Sequence, residues 1–161
     1  MNNYNVVYTT DDSFSVVLGT SLYSLLSNNL DADLINIFIL DGGIESENRD
    51  HISEICSNFS NTSLYWVPMG TISKKIGIDV KTDRGSVSQF SRLFIGDVLS
   101  DDIERVLYLD CDTLVVSSLS ELWNMDLNGN IISALSDAFS KYYRENIGLK
   151  KTTSCSTRVY Y

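Results

Sequence analysis

The sequence predicts an α/β fold in which a mostly parallel sheet is flanked by helices. Four short apolar runs, rich in β-branched and aromatic residues, have the length of buried strands. The segments between the first three runs carry apolar residues at helical spacing. Strands that alternate with helices along a chain indicate parallel βαβ units, because a parallel strand pair needs a crossover between its members.

The first predicted strand, residues 5–10, runs into Asp11 and Asp12. The helix that follows extends from residue 13 to about residue 29, where apolar positions recur every three to four residues. Asp12 or Ser13 is its predicted N-cap, since a short side-chain oxygen accepts a hydrogen bond from the free amides of the first turn.

Two further strands and a second helix follow. The second strand, residues 34–40, is closed by the turn Asp41-Gly42-Gly43. A helix over residues 46–59 leads to the third strand, residues 63–68, which ends at the only proline of the chain.

A polar, glycine-containing loop is predicted over residues 69–85. Residues 86–89 then fit the capping-box pattern and open a helix that extends to about residue 99. Phe90, Leu93 and Phe94 are predicted to face inward from this helix.

The last predicted elements surround an acidic motif. Residues 105–109 are the clearest candidate for a buried strand and lead directly into Asp110-Cys111-Asp112. Short strands are predicted at residues 115–116 and 131–135, on either side of a helical turn at residues 119–123. No linker or internal repeat interrupts the pattern, so one continuous domain is expected.

The composition excludes some classes of protein. The formal net charge is -9, with 12 Lys and Arg residues against 21 Asp and Glu residues, whereas a nucleic-acid-binding protein needs a basic surplus. We expect no membrane span, because no run approaches about 20 apolar residues, and the first residues lack the features of a secretory signal. The three cysteines have no disulfide-framework or zinc-site spacing. These observations predict a bacterial, cytoplasmic protein with reduced thiols.

Acidic residues follow the first and fourth predicted strands, at ends that we expect to adjoin in the sheet. In open α/β sheets, ligands bind outside the carboxyl ends of the strands. Asp110 and Asp112 are two residues apart, so in extended backbone both carboxylates point to one side while Cys111 points back into the protein. Hard oxygen ligands suit Mn²⁺ or Mg²⁺, which usually take one or two carboxylates plus substrate phosphates. The sequence therefore predicts a metal site at Asp110 and Asp112 that neutralises a departing diphosphate.

The string RVLYLDCDTLVV over residues 105–116 resembles the DxD signature of family 8 glycosyltransferases. That family is a retaining group, which includes bacterial lipooligosaccharide galactosyltransferases and glycogenin. Further segments resemble the family in the same order over nearly the whole chain, at residues 6–14, 39–44, 89–93, 123–127 and 134–137. The resemblance implies the GT-A fold, a Rossmann-like fold of nucleotide-diphospho-sugar transferases, here incomplete at the C-terminus.

The resemblance also implies a reaction and residue roles. A hexose would move from UDP-glucose or UDP-galactose to a glycan or glycoprotein acceptor with retention of configuration. Asp11 would accept from the uracil N–H, Arg92 would contact the donor sugar or its diphosphate, and Asp137 would lie towards the sugar or acceptor. No catalytic nucleophile is identified, and His51 is predicted to be an ordinary surface residue. The implied donor-binding set is Thr9, Thr10, Asp11, Ser13, Phe14, Arg92, Asp110, Cys111 and Asp112.

The resemblance stops after residue 153. We expect residues 1–153 to be the N-terminal, donor-binding part of a glycosyltransferase domain and residues 154–161 to be a divergent tail, with little or no transferase activity in this chain. Read in a shifted frame, the codons available to the tail permit the family's continuation, Phe-Asn-Ala-Gly-Val-Leu. The hypothesis is a frameshift in the gene, which its DNA sequence tests.

Two other functions fit part of the pattern. A strand followed by Asp110, Asp112 and Thr113 also resembles phosphohydrolases of the haloacid-dehalogenase type, in which the first Asp is a nucleophile and the second an acid or base. That motif normally opens its fold, whereas here it comes late. The other alternative is a non-catalytic nucleotide-binding remnant, which would bind metal and UDP without transferring a sugar.

Overall fold

The computed structural model of this chain describes residues 2–69 and 91–133. The chain forms two compact units, Met1–Trp123 and Asn124–Tyr161. The first unit contains a parallel four-stranded sheet in the order β3-β2-β1-β4. The predicted α/β class is therefore confirmed. The strands are β1 (Asn3–Thr10), β2 (Leu34–Asp41), β3 (Thr62–Pro68) and β4 (Leu107–Tyr108).

The described helices flank this sheet. The first two have 13 and 12 residues, and the two that follow have four residues each. The two longer ones connect the first three strands, as βαβ crossovers require. Two 3₁₀ turns, Asp12–Phe14 and Arg92–Phe94, each lead directly into a helix. The helices are α1 (Ser15–Ser27), α2 (Ser46–Ser57), α3 (Ile95–Val98) and α4 (Ser120–Trp123).

Both faces of the central strands β1 and β2 are mostly buried, which explains why these strands read as continuous apolar runs. Alternate residues of each strand point to opposite faces. On one face, Tyr4, Tyr8 and Ile37 pack with Leu22 of α1 and Ile52 of α2. On the other face lies a second, smaller cluster of buried residues, formed by Val7, Phe38, Leu40 and Met69.

Several predicted elements differ from the structure. β4 has two residues instead of the five predicted, and residues 115–116 and 131–133 are not strands. The backbone of Val115 is bound instead by side chains of α1 and of the residue that caps it: its N–H donates to Ser24 Oγ at 3.0 Å, and its carbonyl accepts from Nδ2 of the C-cap residue Asn28 at 3.0 Å. A strand prediction fails here because the backbone groups find partners on a helix.

The helix predicted to end near residue 99 is also different in its described part. Leu93 is 71% exposed, so its predicted inward orientation is wrong, whereas Phe94 packs against the second cluster as expected. The cause is the 3₁₀ turn Arg92–Phe94, whose three residues per turn rotate side chains relative to an α-helix. Several predictions concern residues that the structure does not describe. They are the loop at residues 69–85 apart from Met69, the capping box at residues 86–89, Phe90, Asp137 and the tail at residues 154–161.

The described part of the second unit is a turn. Asp126 Oδ1 accepts from the backbone N–H of Asn128 at 2.8 Å, and the N–H of Asn130 donates to the carbonyl of Leu127 at 2.9 Å. Asn128 and Gly129 both have positive φ, at 51° and 76°, a conformation that asparagine and glycine tolerate best. In the two described ranges, no helix is long and apolar enough to cross a membrane.

Candidate functional site

The strand order creates a switch point at the carboxyl edge of the sheet. From β1 the chain adds β2 and β3 on one side, and β4 then lies on the other side of β1. Val6 and Val7 pair with Leu107 and Tyr108, and the N–H of Leu109 donates to Val7 O at 3.0 Å. The loops after β1 and β4 therefore adjoin, as predicted, where ligands bind in open α/β sheets.

Thr9 joins three segments at this edge. Its carbonyl accepts from the Cys111 thiol at 3.1 Å, and its hydroxyl accepts from Ser91 Oγ at 3.1 Å. Burial is the main reason that the pKa of Cys111 rises to about 11, so this thiol stays protonated and donates. The prediction that Cys111 points back into the protein is confirmed.

Asp11 closes the loop after β1. Its Oδ1 accepts from the Ser13 N–H at 3.1 Å and from Ser13 Oγ at 2.6 Å. Asp11 therefore caps the 3₁₀ turn Asp12–Phe14, which begins one residue before the predicted start of the helix. The prediction of Asp12 or Ser13 as the cap is wrong for this reason. Phe14 is 51% exposed beside this loop, whereas Thr10 is only 3% exposed and its hydroxyl donates to the carbonyl of Asp11 at 3.1 Å.

Asp12 instead binds residues at the start of the neighbouring helix α2. Its Oδ1 accepts from Asn48 Nδ2 at 2.8 Å and from the N–H of Glu45 at 2.9 Å. The Asn48 bond and then the Glu45 bond hold the pKa of Asp12 below its usual value. The acidic pair seen in the sequence is therefore divided, with Asp11 on the ligand edge and Asp12 fixing α2.

The turn Asp41-Gly42-Gly43 contacts the end of β1 and the loop that follows it. The buried carboxylate of Asp41 accepts through Oδ1 from the N–H groups of Gly43 and Ile44, both at 2.8 Å. Its Oδ2 pairs with Arg49, whose guanidinium lies 5.3 Å from the centroid of the Trp66 ring. The N–H of Gly42 in turn donates to the carbonyl of Thr10 at 2.8 Å.

Gly42→Ala is expected to lower the free energy of unfolding by about 1–3 kcal/mol, the usual cost of overpacking. A Cβ at this position would lie 2.9 Å from the Thr10 carbonyl oxygen, and backbone atoms cannot move aside cheaply. Urea unfolding measures the change. The matched control is Gly96→Ala in α3, where a Cβ meets nothing within 4 Å and alanine favours the helix. Equal stability of the two variants would contradict the close approach.

The acidic motif after β4 forms a turn, which corrects the extended backbone assumed from the sequence. Thr113 closes it, since its N–H and its hydroxyl donate to the carbonyl of Asp110 at 3.2 Å and 2.7 Å. Thr113 Oγ1 also lies 3.4 Å from Ser21 Oγ of α1, and that oxygen lies 3.1 Å from the Tyr8 hydroxyl. The turn is therefore fixed to α1.

Arg92 meets this turn from the segment before β4. Its Nη2 lies 3.3 Å from Asp110 Oδ1, and its guanidinium carbon lies 4.8 Å from the centroid of the Tyr108 ring. Burial raises the pKa of Tyr108 to about 12, partly offset by the charge of Arg92. Tyr108 is therefore a neutral aromatic surface under a cation that also pairs with the motif.

The two motif carboxylates offer hard oxygen atoms, the type of ligand that a divalent cation takes together with phosphates and water. The Asp110 side chain is 29% exposed and Asp112 is exposed, so both are accessible from the edge. Among the described residues, no group of three or more His, Cys, Asp or Glu side chains could hold a metal ion. Mn²⁺ and Mg²⁺ are commonly bound in this way, by one or two carboxylates plus substrate phosphates.

Most of the predicted site residues come together, and some were missed. The two adjoining loops, or the segment that contacts them, carry Thr9, Asp11, Ser13, Phe14, Arg92 and the acidic motif. Asp137 lies outside the described residues. His51 is exposed on α2, as predicted. Sequence reasoning missed Ser91, Asp41, Gly42 and Tyr108 as supporting residues. The glycine pair after β2 was the one visible signal, because adjacent glycines mark a turn or a close approach.

A parallel sheet with acidic loops at its switch point is the architecture of α/β proteins that bind ligands at the carboxyl edge. The sequence profile of glycosyl transferase family 8 matches residues 5–159. The chain belongs to glycosyl transferase family 8.

The known proteins similar to this chain include some with glycosyltransferase names. A candidate glycosyltransferase of Haemophilus influenzae is 30% identical over 150 residues, which cover 91% of this chain and 44% of the relative. General stress protein A of Bacillus subtilis is 28% identical over 138 residues, which cover 83% of this chain and 46% of the relative. The galactosyltransferase LgtC, solved in complex with donor and acceptor sugar analogues, has a TM-score of 0.70 and 28% identity over 92% of this chain and 53% of LgtC.

These comparisons confirm the predicted GT-A fold. The chain spans about half the length of the relatives it matches, at 44% and 46% of the two curated proteins and 53% of LgtC.

Proposed function

We propose that this chain carries the donor site of a metal-dependent glycosyltransferase, which moves a hexose from a UDP-sugar to a glycan or glycoprotein acceptor with retention of configuration. The observation that supports it is the meeting of the Asp11 loop and the Asp110–Asp112 turn at the switch point of the sheet. In a family 8 chain, the loop after β1 would bind the base and the turn after β4 would bind the diphosphate.

The loop after β1 would bind the uridine. The Oδ1 atom of Asp11 is already held by Ser13, and among the described residues no hydrogen bond reaches its Oδ2, so this oxygen is free to accept from the uracil N–H. The exposed ring of Phe14 offers an apolar surface next to it. Thr9 and the buried Thr10 would set the position of Asp11 through their bonds to Ser91, Cys111 and Gly42.

The turn after β4 would bind the diphosphate end of the donor. Asp110 and Asp112 would hold Mn²⁺ or Mg²⁺, which supplies charge stabilisation to the departing UDP. Arg92 carries a planar guanidinium with paired donors that match phosphate oxygens. From the family we expect the donor to be UDP-glucose or UDP-galactose and the acceptor to be a glycan or glycoprotein. A bacterial cytoplasmic location is expected as well.

Calorimetric titration of UDP into the full chain, with and without Mn²⁺, tests the donor site. Binding is expected only in the presence of Mn²⁺, and ADP is expected to bind at least about tenfold more weakly because the larger base loses the Asp11 contact, a difference of about 1.4 kcal/mol. Equal UDP binding without metal, or no binding by a chain with a folded circular dichroism spectrum, would count against the proposal.

Activity assays separate the proposal from its alternatives. Hydrolysis of an aryl phosphate would favour a phosphohydrolase, which family membership does not favour. Mn²⁺-dependent UDP binding without any turnover of UDP-glucose or UDP-galactose would favour a nucleotide-binding remnant.

A further inference from the structure

The contact between Arg92 and Asp110 places a positive charge on a carboxylate that the proposed metal also needs. Arg92 Nη2 lies 3.3 Å from Asp110 Oδ1, and the two side chains are 43% and 29% exposed. A divalent cation at Asp110 would therefore meet the charge of Arg92 and would compete with it for the same oxygen.

This contact is also easily exchanged. It joins one nitrogen to one oxygen, both partly in water, and ion pairs of this kind contribute little to stability. The face of the Tyr108 ring lies under the guanidinium at 4.8 Å, and an aromatic face attracts a cation without fixing its in-plane direction. An exchange of this carboxylate for a phosphate oxygen would leave the guanidinium on the face of the Tyr108 ring.

We propose that Arg92 is an exchange residue, which pairs with Asp110 in the unliganded site and transfers to the donor diphosphate, leaving Asp110 to the metal. The inference rests on the donor site proposed above. Tyr108 is then a positioning residue, because its ring supports the guanidinium in both arrangements. The metal and the nucleotide bind cooperatively, since each one favours the arrangement in which Arg92 has left Asp110.

The test measures Mn²⁺ binding by electron paramagnetic resonance of free Mn²⁺, first without nucleotide and then with UDP, on the full chain. Arg92→Gln removes the competing charge, so it is expected to bind Mn²⁺ alone about fivefold more tightly than the parent, a difference of about 1 kcal/mol. The same variant is expected to bind UDP in Mn²⁺ about tenfold more weakly, so the coupling between the two ligands falls. Arg92→Lys keeps the charge and is expected to change Mn²⁺ affinity less than Arg92→Gln does.

Tyr108 variants separate positioning from simple charge. Tyr108→Phe keeps the ring and is expected to reduce the coupling less than Tyr108→Leu, which removes the surface that supports Arg92. A circular dichroism spectrum like that of the parent shows that each variant is folded.

Unchanged or weaker Mn²⁺ binding by Arg92→Gln overturns the exchange, and so does UDP binding as tight as that of the parent. Failure of the donor site itself gives a different result: an Asp110→Asn/Asp112→Asn variant would then bind UDP in Mn²⁺ as the parent does. A folded parent that binds neither ligand overturns both proposals.

Discussion

Replacing Asp110 and Asp112 together with asparagine is expected to abolish the Mn²⁺-dependent binding of UDP. Asparagine keeps the size of each side chain but removes the negative charge, which a hard cation requires from its protein ligands. Each charge-assisted contact contributes about 1.5–3 kcal/mol, so two together correspond to a loss of at least about 100-fold in affinity. Calorimetric titration of UDP in Mn²⁺ measures the change.

A charge-matched control makes this result specific. Asp101→Asn/Glu104→Gln removes the same two negative charges from exposed positions that precede β4, at the opposite end of that strand from the motif. It is expected to bind UDP in Mn²⁺ like the parent. A similar loss in both double variants would show that net charge, and not the motif, governs binding.

Asp41→Ala is expected to give the largest loss of stability of any single change in the β2 turn. The buried carboxylate accepts two backbone N–H groups, from Gly43 and Ile44, and pairs with Arg49. Removing it leaves those donors without their acceptor, and each unsatisfied buried donor costs about 1–3 kcal/mol. Because Gly43 is exposed and water can reach its N–H, the expected fall in the free energy of unfolding is about 2–4 kcal/mol.

Asp41→Asn is the matched variant. It keeps an oxygen that can accept from Gly43 and Ile44 but loses the charge that pairs with Arg49. About half of the loss is expected, because the Arg49 side chain is 41% exposed and its pairing is screened by water. Urea unfolding of the two variants measures the difference, and an Asp41→Ala protein as stable as the parent would contradict the role of the turn.

The strands β1 and β2 could be predicted from sequence because burial on both faces leaves continuous apolar runs. The predicted second strand, residues 34–40, differs from Leu34–Asp41 by a single residue. The ends of β4 could not be predicted from an apolar run in the same way. The apolar run at residues 105–109 is real, but only Leu107 and Tyr108 pair with β1, and the side chain of Asn5 binds the carbonyl of Arg105 at 3.1 Å. Hydrogen bonds from side chains to the backbone leave no periodic pattern in the sequence, so they cannot be used to predict where a strand ends.

The candidate site was predictable in its chemistry and less so in its geometry. Acidic residues after the first and fourth strands indicated a ligand edge, but their spacing alone does not separate the role of Asp11 from that of Asp12, and only the family resemblance singled out Asp11. Their division depends on where α2 begins, since Asp12 binds Asn48 and the N–H of Glu45. The contact between Arg92 and Tyr108 likewise depends on segments distant in sequence meeting at one edge.

The unequal pairing of β1 with its two neighbours makes one half of the edge stiffer than the other. β1 pairs with β2 through eight residue pairs, but with β4 through only two. Local opening of a structure is easiest where few backbone bonds resist it, so strand pairing holds the loop after β1 more firmly than the turn after β4, which depends more on its side-chain contact with α1. In the proposed donor site, the nucleobase would then lie against the half of the edge with many backbone bonds, and the sugar diphosphate against the half with few.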